Sequence, residues 1–274
     1  MQDVRKEAAD LSMERLRSSI QTSTLGQQIV RFEETDSTNI QADRLAKEGA
    51  PHGTLVVAEM QTAGRGRRGR SWQQEPGTMI AMSLILRPEI APDEASMLTL
   101  VAAHSIAVTI EIMTEVSAFI KWPNDIVING KKTVGILTEM CLEQGRIGHI
   151  IVGIGINVGT KAFPEELREI ATSLYLETGK PIERCELIGA FLEQFEKDYE
   201  LFLEKRNLSG ILPGYNARLI NQGREVKILD VAGEYTGISR GVTKTGELLV
   251  EREDGRLETV YAGEVSVRGL YGYV

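Results

Sequence analysis

The stretch Gly64-Arg65-Gly66-Arg67-Arg68-Gly69-Arg70-Ser71-Trp72 is the starting point for interpreting this chain. Glycine adopts backbone conformations that other residues avoid and lets the backbone approach a ligand closely. Arginine presents a planar, permanently charged set of donors that matches carboxylate and phosphate groups. A solvated charged loop is the alternative, but the alternation of the two residue types and the following aromatic, which can stack on a base, favour a mobile loop that closes on an anion.

Two well-known phosphate-binding folds are excluded for this loop. Gly64-x-Gly66-x-x-Gly69 matches the dinucleotide-binding fingerprint, which requires a helix directly after the loop. Residues 71–77 read Ser-Trp-Gln-Gln-Glu-Pro-Gly and cannot open a helix. No Gly-Lys-Ser/Thr follows either, so the P-loop is also excluded.

The composition restricts the class of protein. The 274 residues are enough for one large and one small domain, and the formal net charge of −8 argues against general binding to nucleic acid or to anionic membranes. Two cysteines are too few for a disulfide framework, which favours a cytoplasmic location. No stretch is predicted to be long enough and apolar enough to span a membrane. The three histidines show no metal-ligand spacing, so no metal site is predicted.

Around the loop, hydrophobic patterns and cap residues predict alternating strands and helices. The cluster Glu34-Thr35-Asp36-Ser37-Thr38-Asn39 predicts a helix start whose polar groups also form a pocket wall, with simple capping as the alternative. The second strand leads to Gln61, just before the loop. The predicted strands are 28–33, 54–59 and 78–86, and the predicted helices are 40–48 and 92–112.

The second half begins with a strand, a break at Pro123 and another strand, with Lys121 inside the apolar segment. A buried lysine needs a charge partner, unless its amine reaches the surface. Turns at Asn129-Gly130 and Gln144-Gly145 predict consecutive hairpins, and the last strand carries alternate glycines at Gly153 and Gly155.

The remaining residues divide into helical and β segments. Helices dominate residues 164–219, and short glycine-rich strands after Gly223 predict a small closed β-barrel. Residues 1–24 predict a charged helix with a narrow apolar stripe. We therefore expect an N-terminal helical extension at 1–27, a catalytic domain at 28–220 and a β-barrel domain at 221–274.

Taken together, these motifs resemble those of the biotin–protein ligases. The motifs follow the family order from about Gln28 to the C-terminus. They are Ser37-Thr38-Asn39, Gln61, the arginine–glycine loop with Trp72, Lys121-Trp122-Pro123-Asn124-Asp125, Gly135-Ile136-Leu137-Thr138-Glu139, Gly153-Ile154-Gly155-Ile156-Asn157 and Ala262-Gly263-Glu264-Val265.

The resemblance implies a fold and a reaction. The fold is α/β (α+β): a mixed sheet flanked by helices, similar to class II aminoacyl-tRNA synthetases, with a small C-terminal β-barrel. In the reaction, biotin and MgATP give biotinyl-5′-AMP, and biotin then passes to a lysine of the biotin carboxyl carrier protein of a carboxylase. Some members carry an N-terminal winged-helix DNA-binding domain and act as repressors. Residues 1–27 are too short for one, so a ligase-only member is expected, without DNA or membrane partners, and a homodimer through sheet edges is possible in this family.

The resemblance also implies roles for individual residues. Lys121, Arg67 and Arg65 are expected to be catalytic, because fixed cations offset the repulsion between a carboxylate and a triphosphate. Magnesium is expected on phosphate oxygens and water. The expected biotin-binding residues are Ser37, Thr38, Asn39, Gln61, Arg65, Gly66, Arg67, Lys121, Gly135 and Gly153. The expected ATP-binding residues are Arg65, Arg67, Arg68, Arg70, Trp72, Lys121, Asn124 and Asn157.

Three alternatives stay open at this point. A lipoate– or octanoate–protein ligase would share the fold, and the Lys-Trp-Pro-Asn-Asp motif and four-arginine loop favour biotin over it. A biotin-responsive transcription repressor is a second alternative, which the net charge disfavours. A biotin-binding module without catalysis is a third.

Overall fold

The computed structural model of the protein describes residues 11–69, 76–230, 233–261 and 266–269. Its main feature is a seven-stranded sheet in the order β1-β2-β3-β7-β6-β5-β4. The strands are β1 (Ile29–Thr35), β2 (Leu55–Gln61), β3 (Met79–Leu86), β4 (Phe119–Lys121), β5 (Asp125–Ile128), β6 (Lys131–Glu143) and β7 (Arg146–Asn157). Strands β1 and β2 are parallel and the other neighbours are antiparallel, so the predicted mixed sheet is confirmed.

Helices flank this sheet. They are α1 (Met13–Ser19), α2 (Thr38–Lys47), α3 (Met97–Thr114), α4 (Leu174–Thr178), α5 (Arg184–Lys205) and α6 (Leu212–Arg218). Strand β3, with the sequence Met-Ile-Ala-Met-Ser-Leu-Ile-Leu, is buried at every position. A strand covered on both faces needs such a continuous apolar run, whereas a strand with one wet face alternates.

Helix α3 corrects one sequence-based prediction. Together with the 3₁₀ turn Pro92–Ser96, it forms a helical segment, Pro92–Thr114, that is long and apolar enough to cross a membrane. The prediction that no stretch has this property is therefore wrong. In the structure 67% of the most apolar window is buried inside the protein, as expected for a core helix.

Helix α5 covers α3 and holds a buried polar group against it. The rings of Phe191, Phe195 and Tyr199 stack in series along α5. On the same helix, Asp198 is 2.8 Å from His104 Nδ1 and accepts a 2.8 Å hydrogen bond from Ser105. These contacts satisfy a carboxylate that would otherwise be costly to bury.

The C-terminal unit is a five-stranded antiparallel sheet in the order β11-β10-β9-β8-β12. Its strands are β8 (Glu225–Asp230), β9 (Gly233–Val242), β10 (Leu248–Glu251), β11 (Leu257–Val260) and β12 (Ser266–Gly269). The two sheets share one hydrophobic core. At their junction Trp122 Nε1 donates a 3.1 Å hydrogen bond to the Gly246 carbonyl.

The described part of the N-terminal segment differs from its prediction. Its α-helix is only Met13–Ser19, and the side chains of Leu11, Leu16 and Leu25 are fully buried in the main core. Residues 164–171 were also predicted to be helical, but they form hydrogen-bonded turns.

Candidate functional site

A narrow cavity of about 50 Å³ lies where the first turn of α2, the end of β2 and the glycine-rich parts of β6 and β7 meet the arginine–glycine loop. Its wall combines amide, hydroxyl and guanidinium groups with three glycines from the two long strands and with an apolar side. The lining residues are Ser37, Thr38, Asn39, Gln61, Arg65, Gly66, Arg67, Asn124, Lys132, Gly135, Ile136, Leu137, Gly153, Ile154 and Gly155.

Asp36 organises the start of α2. Its carboxylate accepts hydrogen bonds from the Ser37 amide at 2.7 Å, Gln41 at 2.8 Å and Thr35 at 3.1 Å. Burial alone raises the pKa of Asp36, but these hydrogen bonds and nearby Arg44 outweigh it, so the pKa lies below its ordinary value. The Ser37 hydroxyl makes no capping bond to the helix. Asp36 thus holds the residue that precedes the helix, the Thr38 amide is bound by Gln61, and Ser37 lines the cavity.

A hydroxyl–amide network forms the floor of the cavity. Gln61 Oε1 accepts hydrogen bonds from the Thr38 amide at 2.7 Å and from the Thr38 hydroxyl at 3.1 Å. Ser83, fully buried in β3, places its hydroxyl 2.8 Å from Thr38 Oγ1 and 2.6 Å from Asn39 Oδ1. The network fixes where donors and acceptors face the cavity.

Asn39 depends on a glycine in the neighbouring strand. A Cβ at Gly153 would lie 1.9 Å from Asn39 Oδ1, so only glycine leaves room for this side chain. Asn39 Nδ2 donates to Glu139 at 2.7 Å, and Glu139 also pairs with Arg65 at 3.2 Å. The loop arginine is thereby tied to the strand wall through one carboxylate.

Arg67 separates the first cavity from a second one. Its Nη1 donates a 2.8 Å hydrogen bond to Asn124 Oδ1. The second cavity, of about 270 Å³, shares Arg67, Asn124, Ile136 and Leu137 with the first. Its other wall comes from Pro92, Ala95, Ser96, Thr99, Pro123, Thr138 and Met140. The guanidinium therefore lies where two bound groups can meet.

Sequence reasoning missed three residues of the site. Lys132 lines the first cavity and pairs with Asp125 at 2.6 Å. Ser83 joins Thr38 and Asn39 in the hydroxyl–amide network. Its hydroxyl, alone in an otherwise apolar strand, was the sequence signal that could have identified it. Glu139 was quoted within a motif but given no role. Lys132 could not be found without the β5–β6 register, which pairs Lys132 with Val127, two residues along β5 from Asp125.

Most of the predicted site residues come together in this cavity. They are Ser37, Thr38, Asn39, Gln61, Arg65, Gly66, Arg67, Asn124, Gly135 and Gly153. Two predicted residues are not among the described residues that line it. Lys121 is buried at the end of β4, opposite Asp125, and Asn157 donates to the Thr172 carbonyl at 2.9 Å. The Arg68 side chain, Arg70 and Trp72 lie outside the described residues.

The arrangement is suited to an uncharged polar group joined to an anion. Thr38, Asn39 and Gln61 supply hydrogen-bonding groups to the cavity wall, and Arg65, Arg67 and Lys132 supply positive charge to it. Arginine pairs in a fixed geometry with carboxylate and phosphate oxygens. Two carboxylates beside the site, Asp125 and Glu139, already contact cations.

The sequence and structure match known proteins over most of their length. Residues 31–157 match the biotin/lipoate A/B protein ligase family, and residues 223–268 match the biotin protein ligase C terminal domain. The chain is 39% identical to the bifunctional ligase/repressor BirA of Bacillus subtilis over 264 residues, which cover 96% of this chain and 81% of that protein. It is 32% identical to the biotin–[acetyl-CoA-carboxylase] ligase of Paracoccus denitrificans, covering 86% and 98%.

A solved structure agrees with these relatives. The biotin protein ligase from Aquifex aeolicus, in complex with biotin and ATP, superposes with a TM-score of 0.77 at 33% identity, covering 89% of this chain and 99% of that one. The fold class expected from the sequence is thus confirmed. The chain belongs to the biotin protein ligases of the biotin/lipoate A/B protein ligase family, and it is a ligase enzyme.

Proposed function

We propose that this protein activates biotin with MgATP and attaches it to a lysine of the biotin carboxyl carrier protein of a carboxylase. The observation that carries the proposal is the cavity that is lined both by the polar groups of Thr38, Asn39 and Gln61 and by the cations of Arg65, Arg67 and Lys132. Biotin has the matching shape: a ureido ring with donors and acceptors, joined by an apolar chain to a carboxylate. The Aquifex relative, whose structure holds biotin and ATP, supports this assignment.

In the first step, a biotin carboxylate oxygen attacks the α-phosphorus of ATP. The bond between that phosphorus and the bridging oxygen breaks, and pyrophosphate leaves with the electron pair. Two anions must approach each other, and Arg65, Arg67 and Lys121 are proposed to offset their repulsion. One preorganised charged donor at such a centre contributes roughly 3–4 kcal/mol, by analogy with oxyanion donors.

In the second step, the neutral amine of the carrier lysine attacks the acyl carbon of biotinyl-5′-AMP. The carbon–oxygen bond to AMP breaks, AMP leaves as the anion, and the amine loses a proton to give the amide. Arg67 lies at the wall between the two cavities, so it can remain beside the phosphate in both steps.

Magnesium is proposed to accompany ATP, where it would neutralise part of the phosphate charge. Asp125 pairs with Lys132 and Glu139 with Arg65, which leaves these two carboxylates engaged. We therefore expect phosphate oxygens and water to hold the ion, as is usual for magnesium nucleotides.

The loop is proposed to shield the adenylate from water by closing over biotin. Acyl-adenylates hydrolyse readily, so exclusion of water protects the intermediate. Residues 70–75 of this loop lie outside the described part of the chain, and the closure of residues 65–72 stays a prediction. Limited proteolysis tests it: biotin should slow cleavage near Arg67–Arg70, and an unchanged cleavage rate would contradict the closure.

Mass spectrometry tests the proposed reaction directly. A purified carrier domain is incubated with the protein, biotin and ATP, and we expect one biotin per carrier. Controls without ATP, and with the carrier lysine replaced by arginine, should give no product. Absence of product in the complete mixture would overturn the proposal.

Two alternatives are decided by separate measurements. The family model also covers lipoate ligases, so ATP–pyrophosphate exchange is measured with biotin, lipoate and octanoate. ATP–pyrophosphate exchange only with lipoate or octanoate would show that one of these acids, and not biotin, is the substrate. The Bacillus relative is named a bifunctional ligase/repressor, so a gel shift with operator DNA and biotin tests whether this chain also binds DNA.

A further inference from the structure

A cluster of three potential metal ligands lies at the far end of the β6–β7 hairpin. One ligand atom from each of Cys141, Glu143 and His149 lies within 4.8 Å of the other two. The strand register places Cys141 opposite His149, and the register shifts between Cys141 and Leu142. Cys141 lies four residues beyond Leu137, the last β6 residue of the first cavity, or roughly 13 Å along the strand.

The imidazole of His149 is held in a manner typical of a metal ligand. The side chain is 1% exposed, and its Nε2 lies 2.9 Å from Asp43 Oδ1. Its other nitrogen, Nδ1, is buried and has no hydrogen-bond partner in the described structure. A buried polar atom without a partner costs free energy, so a ligand at Nδ1 would remove that cost. Metal-binding histidines commonly contact a carboxylate through the second ring nitrogen.

Gly148 makes room for the carboxylate of Glu143 beside this ring. A Cβ at position 148 would lie 2.6 Å from Glu143 Oε1, so another residue there would displace the side chain. Glu143 itself is at the exposed end of the hairpin, and Cys141 is half-buried. The cluster thus has one rigid, buried ligand, His149, and two ligands, Cys141 and Glu143, whose side chains can adjust.

We propose that Cys141 Sγ, the Glu143 carboxylate and His149 Nδ1 bind a zinc ion, with Asp43 orienting the imidazole. A thiolate, an imidazole and a carboxylate form a donor set that suits Zn²⁺, whereas Mg²⁺ requires oxygen ligands. In a tetrahedral zinc site the ligand atoms are about 3.3–3.8 Å apart, so the side chains must close by about 1 Å. The Cys141 thiol releases its proton to solvent on binding, and water fills the fourth position.

The proposed ion would brace the hairpin against helix α2. Asp43 belongs to α2, whose first turn lines the first cavity, and Cys141 and Glu143 belong to β6, which lines the same cavity nearer its start. The proposal does not depend on the ligase reaction, because the three ligands lie outside both cavities.

Cobalt substitution tests the site. The full chain is stripped with a chelator and titrated with Co²⁺, which gives a thiolate-to-metal absorption band when a cysteine binds it. We expect one equivalent to bind, and Zn²⁺ but not Mg²⁺ to displace it. Zn²⁺ should also slow the reaction of Cys141 with a thiol reagent, whereas fully buried Cys185 serves as the internal reference. No band at equimolar Co²⁺ would overturn the proposal.

Variants on the same hairpin identify the ligands. Cys141→Ser should abolish the band, and Glu143→Gln should weaken zinc binding at least tenfold. Asp43→Asn should weaken it roughly 10- to 100-fold, as loss of an orienting carboxylate does. Leu142→Ala is the control, because this side chain lies between the two ligands and is 51% exposed. Equal affinity in the control, Cys141→Ser and Glu143→Gln proteins would place the metal elsewhere.

Discussion

At the scale of single residues, Gly153 determines whether Asn39 can face the cavity. Asn39 Oδ1 occupies the space that a Cβ at position 153 would need, and its amide nitrogen binds Glu139. We expect Gly153→Ala to weaken biotin binding at least tenfold, which is about 1.4 kcal/mol, measured by calorimetry. Gly159→Ala is the matched control, because its nearest contact would be an ordinary 3.6 Å. Equal losses in both variants would contradict a specific role for Gly153.

Lys121 was predicted to be catalytic, but it is not among the described residues that line the first cavity. It lies at the end of β4 and is 8% exposed, whereas Lys132 lines the cavity. If Lys121 contacts the reacting centre, Lys121→Ala should lower biotinyl-5′-AMP formation by roughly 10²–10³-fold. Lys131→Ala, at the start of the neighbouring strand β6, serves as the control. A normal adenylate yield in Lys121→Ala would remove the residue from the mechanism, and Lys132 would then be the candidate for its role.

At the scale of secondary-structure elements, a buried ion pair joins the start of α5 to the central sheet. Arg184 Nη1 donates to Glu59 Oε1 at 2.8 Å and to the Met79 carbonyl at 3.0 Å, and Gly77 donates to the same carboxylate at 2.8 Å. Glu59 lies in β2, before the loop that carries the arginines, and Gly77 lies after that loop. The ion pair therefore fixes both ends of the loop.

Removing one member of this pair leaves the other charge buried. We expect Arg184→Met to lower the free energy of unfolding by about 3–5 kcal/mol, measured by urea denaturation. The double variant Glu59→Leu/Arg184→Met removes both charges and should recover part of that loss. A double variant no more stable than the single one would show that the packing around Arg184, and not its charge, is responsible.

Glu196 on α5 holds the N-terminal segment. Its carboxylate accepts hydrogen bonds from the amides of Ser23 at 2.8 Å, Thr24 at 2.8 Å and Leu25 at 2.9 Å. Burial alone raises the pKa of Glu196, but these backbone donors outweigh it, so the pKa lies below the ordinary 4.5. The contribution to stability is therefore complete above pH 4.5 and is lost as the pH falls through the folded-state pKa.

The corresponding prediction is a pH-dependent difference between variants. At pH 7, Glu196→Gln should lower the free energy of unfolding by about 1–3 kcal/mol, because a charged acceptor of several amides is lost. The difference from the unmodified protein should shrink as the pH falls below 4.5. Glu200→Gln, exposed on the same helix, is the control. A difference that stays constant from pH 7 to acid would contradict the role of the charge.

The elements also show what the sequence could and could not predict. The arginine–glycine loop, Ser37-Thr38-Asn39 and Gln61 were predictable, because each motif is contiguous and its chemistry is visible in the residue types. Lys132, Ser83 and the Cys141–Glu143–His149 cluster depend on strand register, which brings distant residues together. The length of helix α1 was not predictable either, because its end is set by packing of Leu16 and Leu25 into the core.

At the scale of the whole molecule, Trp122 links the two sheets. Its indole is 3% exposed, and its Nε1 donates to the Gly246 carbonyl in the turn before β10. Trp122→Phe should cost about 1–3 kcal/mol, because that buried carbonyl loses its donor. We expect amide hydrogen exchange to rise more in β9 and β10 than in β6 and β7. Tyr261→Phe, 67% exposed, is the control, and a uniform rise across both sheets would contradict a local role.

The division of the chain at residues 27 and 220 stays a prediction. Both sheets contribute to one hydrophobic core, and the 11–25 segment is buried in it. For this reason we propose that the β unit and the larger sheet unfold together, as a single cooperative unit.

The apolar helical segment Pro92–Thr114 has a consequence for biosynthesis. Its main cover is α5, which begins only at Arg184, so a ribosome must add some seventy further residues before that cover is made. During this interval the nascent polypeptide exposes an apolar surface that promotes aggregation or binding by chaperones. Translation pauses before Arg184 would prolong this exposure, and codon choice in that interval therefore bears on the yield of folded enzyme.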